Sequence, residues 1–139
     1  MLSAPVWGRW SDRSSRAVMQ LATLVGGLVC LLVALLSARA PEVLGLWGVM
    51  PLAFFVLTLS HSGMRIGRKA YLVDMADQSN RATYVAVSNT LIGLLMLLGG
   101  LVGWLGDLLS IAWVLAVLGS ISLLAVLLLH RMPNVTRAE

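Results

Sequence analysis

The chain has 139 residues, of which 59% are hydrophobic and only 12% are charged. Soluble domains carry about 25% charged residues, so the composition excludes an ordinary soluble domain and predicts an integral membrane protein. The net charge of +4 does not indicate a nucleic-acid partner, because the ten Lys and Arg residues fall between apolar runs rather than on one folded surface.

Four uncharged apolar runs predict an all-α fold, a single membrane domain with four transmembrane helices. The runs cover residues 17–38, 43–64, 82–106 and 108–130. A helix of about 22 residues, the length of the shortest run, spans roughly 33 Å and crosses a hydrocarbon core of about 30 Å. A cleaved signal peptide is the alternative for the first run. The run is longer than such a segment and three more follow, so we interpret it as a span.

The connections between the runs predict how the helices pair. A short turn at residues 39–42 and another near Asp107 predict two tight antiparallel hairpins. A longer cytoplasmic loop over residues 65–81 separates them. Pro51 lies inside the second run and predicts a kink, which neighbouring helices would tolerate.

The basic residues predict the orientation of the chain in the membrane. Cytoplasmic connections of membrane proteins carry an excess of Lys and Arg. Nine of the ten basic residues lie in the first segment, in the 65–81 connection and in the tail, and Arg39 alone lies in the other two connections. The nine are Arg9, Arg13, Arg16, Arg65, Arg68, Lys69, Arg81, Arg131 and Arg137. We therefore expect a multi-pass protein of the plasma (inner) membrane with both termini in the cytoplasm.

A short polar motif precedes the first run. Gly8, Asp12, Arg13 and Arg16 match the pattern G-x-x-x-D-R-x-G-R, and Ser15 stands at the second glycine. The motif resembles the signature of the major facilitator superfamily, found in the cytoplasmic loop between the second and third helices of each six-helix half. Taken alone, it also fits a basic segment beside a membrane. In the family reading, the glycine permits close approach of helices, the aspartate complements a helix N-terminus, and the arginines help to hold the cytoplasmic side shut.

The rest of the chain extends the resemblance. Residues 65–74 and 81–89 are similar to the basic connection between the fourth and fifth helices of a half in this superfamily, and residues 2–7 are similar to the end of a preceding helix. The resemblance implies a partial half, the last four helices of a twelve-helix transporter. It implies transport of an unknown small solute by alternating access, with this C-terminal portion inactive alone.

Four further residues are candidates for function or packing. His61 and Asn89 are polar groups within or near the spans, and they are candidates for substrate contact or for contacts between helices. Gly99 and Gly103 have the spacing G-x-x-x-G, which permits close helix packing, although glycine is also common filler in membrane helices.

The sequence offers no residues for catalysis or cofactor binding. We find no nucleophile with a base, no metal-ligand cluster, no phosphate-binding glycine loop and no carboxylate pair. We therefore expect neither an enzyme nor a cofactor or metal. Cys30 lies in an apolar run and is interpreted as a packing residue.

Two other functions remain open for a protein of this size. One is a self-contained four-helix exporter that works as an oligomer, but such exporters use a glutamate in their first helix and this run has none. The other is a structural or accessory membrane subunit. The expected partners are the lipid bilayer, an unknown small solute, and either the remaining helices of a transporter or other copies of the chain.

Overall fold

The computed structural model describes residues 4–133 and 135, with side chains from Trp7 onward. This part of the chain contains five helices and no strand. The helices are α1 (Ala4–Arg39), α2 (Pro41–Leu44), α3 (Val49–Met75), α4 (Arg81–Leu109) and α5 (Ile111–Arg131). Residues 2 and 3, expected to continue a preceding helix, and Arg137 lie outside the described residues.

Four of these helices are long and apolar enough to cross a membrane. They comprise Trp7–Arg39 of α1 and the whole of α3, α4 and α5. Most of their large apolar side chains are exposed, as expected where lipid rather than water surrounds the helices. The prediction of an all-α membrane fold with four spanning helices is therefore confirmed.

A break at Ser14 divides α1 into two parts. The backbone of Ser14 is extended, with φ −163° and ψ 97°. Its hydroxyl oxygen accepts a hydrogen bond of 3.2 Å from the N–H of Ala17. A serine that bonds the N–H three residues later is an N-cap, and it satisfies one of the free donors at a helix start. We call residues 4–13 the leading segment and residues 15–39 the spanning segment.

The second hydrophobic run is interrupted rather than continuous. Residues 45–48 separate α2 from α3, and Gly48 adopts a left-handed conformation, φ 95°, just before Val49. Pro51 therefore falls in the first turn of α3, where its missing N–H would have no helical acceptor. The expectation that Pro51 kinks the second spanning helix is wrong for this reason.

The connection between the second and third spans is shorter than expected. α3 continues to Met75, so residues 65–75 are helical and only residues 76–80 form the connection. Gly67 and Tyr71 are buried on this extension, and their packing keeps the helix continuous beyond the apolar run.

The spanning segment of α1 is the central helix, packed along α3 on one side and α5 on the other. Glycines stand at both contacts. A Cβ added to Gly67 of α3 would lie 3.1 Å from the carbonyl oxygen of Ser15, and one added to Gly119 of α5 would lie 3.0 Å from that of Gly27. Small residues of this kind let the backbones of membrane helices approach closely.

Helix α4 stands apart from the other three. None of its described residues is buried, and it makes few contacts with α3 and α5. Hydrogen bonds from Arg68 to Ser88 (3.3 Å) and from Arg81 to the carbonyl of Val73 (3.3 Å) tie its first turns to α3. α4 and α5 are joined at Ser110 but make few contacts with each other, so the expectation that they form a tight hairpin is wrong.

Candidate functional site

The leading segment is held against α3 by a tryptophan. A Cβ added to Gly63 would lie 2.9 Å from Cε2 of Trp7, so the indole occupies the space that a side chain at position 63 would need. Trp10 meets Trp7 edge to face, with ring centroids 6.1 Å apart and planes at 90°. This is a favourable arrangement for aromatic pairs, and it places Trp10 at the edge of a cavity.

That cavity lies between the leading segment and the end of α3, and we call it the charged cavity. Its volume is about 1300 Å³. Three basic and two acidic residues are among its lining residues, which are Arg9, Trp10, Ser11, Asp12, Arg13, Ile66, Lys69, Ala70, Val73 and Asp74. Opposite charges on two chain segments can attract one another across such a space.

The charged cavity unites two features that are far apart in sequence. Asp12 and Arg13 come from the motif of residues 8–16, and Lys69 and Asp74 come from the basic connection after the second run. Both features carried the family resemblance separately. Their adjacency is a result of the packing between α1 and α3.

The four motif residues do not act as one cluster. Asp12 and Arg13 are exposed and line the charged cavity. Gly8 is half-buried, and a Cβ there would meet no described heavy atom within 4 Å. Arg16 follows the break at Ser14, and it donates a hydrogen bond of 2.7 Å to the carbonyl oxygen of Met132. The close-approach role expected for Gly8 stays a prediction.

Ser15 occupies the position where the family pattern has its second glycine, and it is fully buried. Ser11, four residues earlier, is also buried. Within the described residues, neither hydroxyl oxygen has a hydrogen-bond partner. An unpaired buried hydroxyl costs about 1–3 kcal/mol, so this departure from the pattern carries an energetic cost at the contact with α3.

The remaining candidate residues lie away from the charged cavity. His61 of α3 and Asn89 of α4 are exposed, and neither lines it. Gly99 and Gly103 of α4 are exposed too, with no described heavy atom within 4 Å of an added Cβ. Their proposed roles in substrate contact or helix packing stay predictions.

Several residues at helix contacts were not anticipated from the sequence. Ser60, Gly63, Gly67 and Tyr71 are the buried residues of α3. The hydroxyl of Ser60 donates a hydrogen bond of 2.8 Å to the carbonyl oxygen of Ala22. The sequence did contain a signal for this buried face, because residues three or four apart share a helix face and Gly63 and Gly67 have the spacing G-x-x-x-G.

The described part of the chain contains no group of His, Cys, Asp and Glu side chains that could hold a metal ion. Thr23 contacts the sulfur of Met64 at 3.4 Å, and this contact again joins α1 to α3. Polar contacts between α1 and α3 thus include the hydrogen bonds of Thr23 and Ser60.

Four spanning helices, with charged residues of α1 and α3 lining one cavity, define a multi-pass membrane protein. The family model of the Major Facilitator Superfamily matches residues 1–139. The chain therefore belongs to the Major Facilitator Superfamily, a family of transporters. No curated protein and no solved structure matches the chain significantly.

Proposed function

We propose that the chain is the C-terminal portion of a secondary transporter and supplies its last four helices. The whole protein would move a small solute across the plasma (inner) membrane by alternating access. The observation that carries this proposal is the exposure of α4, a helix of 29 residues with no buried residue among those described.

The surface of α4 is suited to protein contact as well as to lipid. Asn89 is exposed two turns into the helix, and polar side chains inside membranes usually face other helices or a water-filled cavity. Gly99 and Gly103 leave room for a close neighbour. Further transporter helices covering α4 would bring Asn89 to the solute path and give both glycines a packing partner.

The charged cavity supports a gating role for the motif. Asp12 and Arg13 on the leading segment line the same cavity as Lys69 and Asp74 on α3. Ion pairs between exposed groups are individually weak. Weak pairs can form when the cytoplasmic end narrows and separate when it opens, so neither state is trapped.

Fusion of reporter enzymes tests the orientation on which the gate depends. Reporters placed after Ala40, Asp77 and Glu139 sample the predicted outer connection, inner connection and tail. We expect an external readout at Ala40 only. An external readout at Asp77 or Glu139 would overturn the orientation.

The gene itself tests the transporter proposal. Eight further in-frame spans upstream are expected, and their absence would favour a self-contained oligomer or an accessory subunit.

A labelling experiment on the longer product then tests the solute path. Asn89→Cys in a Cys30→Ala background should react with a water-soluble thiol reagent, because the proposed solute path would bring water to position 89. Leu97→Cys, on an exposed apolar position of the same helix, is the control and should stay unreactive. Equal reactivity at both positions would contradict a water-filled path at Asn89.

A further inference from the structure

The chain that follows α5 crosses the start of the spanning segment of α1 and the end of α3. α5 ends at Arg131, and Met132 is extended, with φ −70° and ψ 142°. Met132 and Val135 pack against a buried cluster formed by Met19, Tyr71 and Leu129. We call Met132, Pro133 and Val135 the strap.

Two side chains hold the strap through its backbone. Nη1 of Arg16, from α1, donates to the carbonyl oxygen of Met132 at 2.7 Å. The phenol of Tyr71, from α3, donates to the carbonyl oxygen of Pro133 at 3.2 Å. Carbonyls at a helix C-terminus have no partner within the helix, and a cation there also complements the helix dipole. Arg16 therefore supplies a donor at the C-cap of α5, and Tyr71 supplies one to the residue that follows it.

The donors come from different helices, so the strap joins three elements rather than two. Tyr71 is only 4% exposed, and its ring belongs to the buried cluster while its hydroxyl reaches the strap. Beside this cluster, Nε2 of Gln20 on α1 lies 3.5 Å from Nδ1 of His130 on α5. The start of the spanning segment of α1 and the ends of α3 and α5 thus meet in one place, and α4 contributes no described contact to it.

We propose that the strap is a lock that keeps the start of the spanning segment and the ends of α3 and α5 together as one unit. Its release lets these ends separate and opens the buried cluster to water. The lock does not depend on the proposed transport function, because all of its contacts lie within this chain. Arg16 and Tyr71 are positioning residues that act through the strap.

Thiol labelling of a buried cysteine measures how often the lock opens. Met19 is 3% exposed and lies in the cluster under the strap, so Met19→Cys in a Cys30→Ala chain reports opening. The reporter chain is purified in detergent and treated with a water-soluble maleimide. Arg16→Gln should raise the labelling rate about tenfold, as expected for loss of a hydrogen bond to a charged group. Tyr71→Phe should raise it about threefold, as expected for loss of a neutral one.

Matched variants separate release of the lock from general loosening. Arg39→Gln makes the same change at an exposed arginine in the last turn of α1, away from the strap, and it should leave the rate unchanged. Ala34→Cys, buried in the other half of the spanning segment, should label equally in all variants. Removal of residues 132–139 should raise labelling at position 19 at least as much as Arg16→Gln.

Two results would overturn the proposal. One is a rate at position 19 that stays unchanged after both Arg16→Gln and removal of residues 132–139. The other is an equal rise at position 34, which would mean that the whole bundle loosens. Leu129→Cys, on α5 in the same cluster, repeats the measurement should Met19→Cys itself disturb the fold, and the same two results decide it.

Discussion

Gly27 of α1 and Gly119 of α5 pack against each other reciprocally. A Cβ on Gly27 would lie 3.2 Å from the carbonyl oxygen of Gly119, and one on Gly119 would lie 3.0 Å from the carbonyl oxygen of Gly27. Both distances are to backbone, which cannot move aside as a flexible side chain can. The contact therefore sets how closely the first and last spans approach.

Gly119→Ala should destabilise the helix bundle. Its Cβ would also lie 2.8 Å from Cγ of Leu31, and overpacking of this kind costs about 1–3 kcal/mol. The measurement is unfolding in mixed detergent micelles, followed by the helical circular dichroism signal. Gly93→Ala is the matched control, since no described heavy atom lies within 4 Å of a Cβ there. Equal stability of the two variants would contradict the close contact.

Gly63→Ala should also destabilise the bundle, and a second substitution should partly reverse the loss. The added Cβ would lie 2.9 Å from the Trp7 ring and 3.1 Å from Cβ of Ala22. Trp7→Leu removes the first of these clashes and leaves the second. In a double-mutant cycle we expect a coupling of about 0.5–3 kcal/mol, the range for residues in contact. Strict additivity would show that Trp7 does not pack on Gly63.

Ser60→Ala should lower stability by about 0.6 kcal/mol, the average for hydrogen bonds between membrane helices. The hydroxyl of Ser60 is buried and bonds to Ala22 on another helix. Ser120→Ala makes the same chemical change at an exposed serine, whose hydroxyl bonds to Ala116 within its own helix. Unfolding of both variants under the same conditions compares them. A larger loss for Ser120→Ala would be inconsistent with this structure.

Ser14→Ala should weaken the start of the spanning segment by about 0.5–2 kcal/mol, the usual cost of losing an N-cap. Ser14→Asp keeps an oxygen acceptor for the N–H of Ala17 and should retain most of the stability. Amide hydrogen exchange over residues 15–18 measures the effect locally. Identical protection in the alanine and aspartate variants would rule out the cap.

Much of the fold could be predicted from the sequence, because insertion into a bilayer depends on local composition. Each span is recognisable from its own residues, without reference to any other part of the chain. The predicted positions of the helix ends were less accurate than the prediction of the spans themselves. Apolar runs report where the bilayer ends, whereas α3 continues to Met75 on the packing of Gly67 and Tyr71. The left-handed Gly48 likewise makes α3 start at Val49, later than the apolar run predicts.

The candidate site was predicted only in part. The motif residues Asp12 and Arg13 were identified from their pattern, but the pattern does not show that they line one cavity with Lys69 and Asp74. Nor does it show that the helix is interrupted at Ser14 and that Arg16 bonds to the backbone at the end of α5. These relationships join residues that are far apart in sequence, so they depend on how α1 packs between its neighbours.

The sequence by itself determined a membrane protein with four spanning helices, because each apolar run partitions into lipid whatever the fold of the rest of the chain. Only the tertiary structure decided which small residues serve as contacts. The spacing G-x-x-x-G occurs at 63–67 and again at 99–103, and nothing local distinguishes the two. The first packs against α1 and the second faces open space among the described residues, since a glycine brings helices together only where another backbone lies opposite.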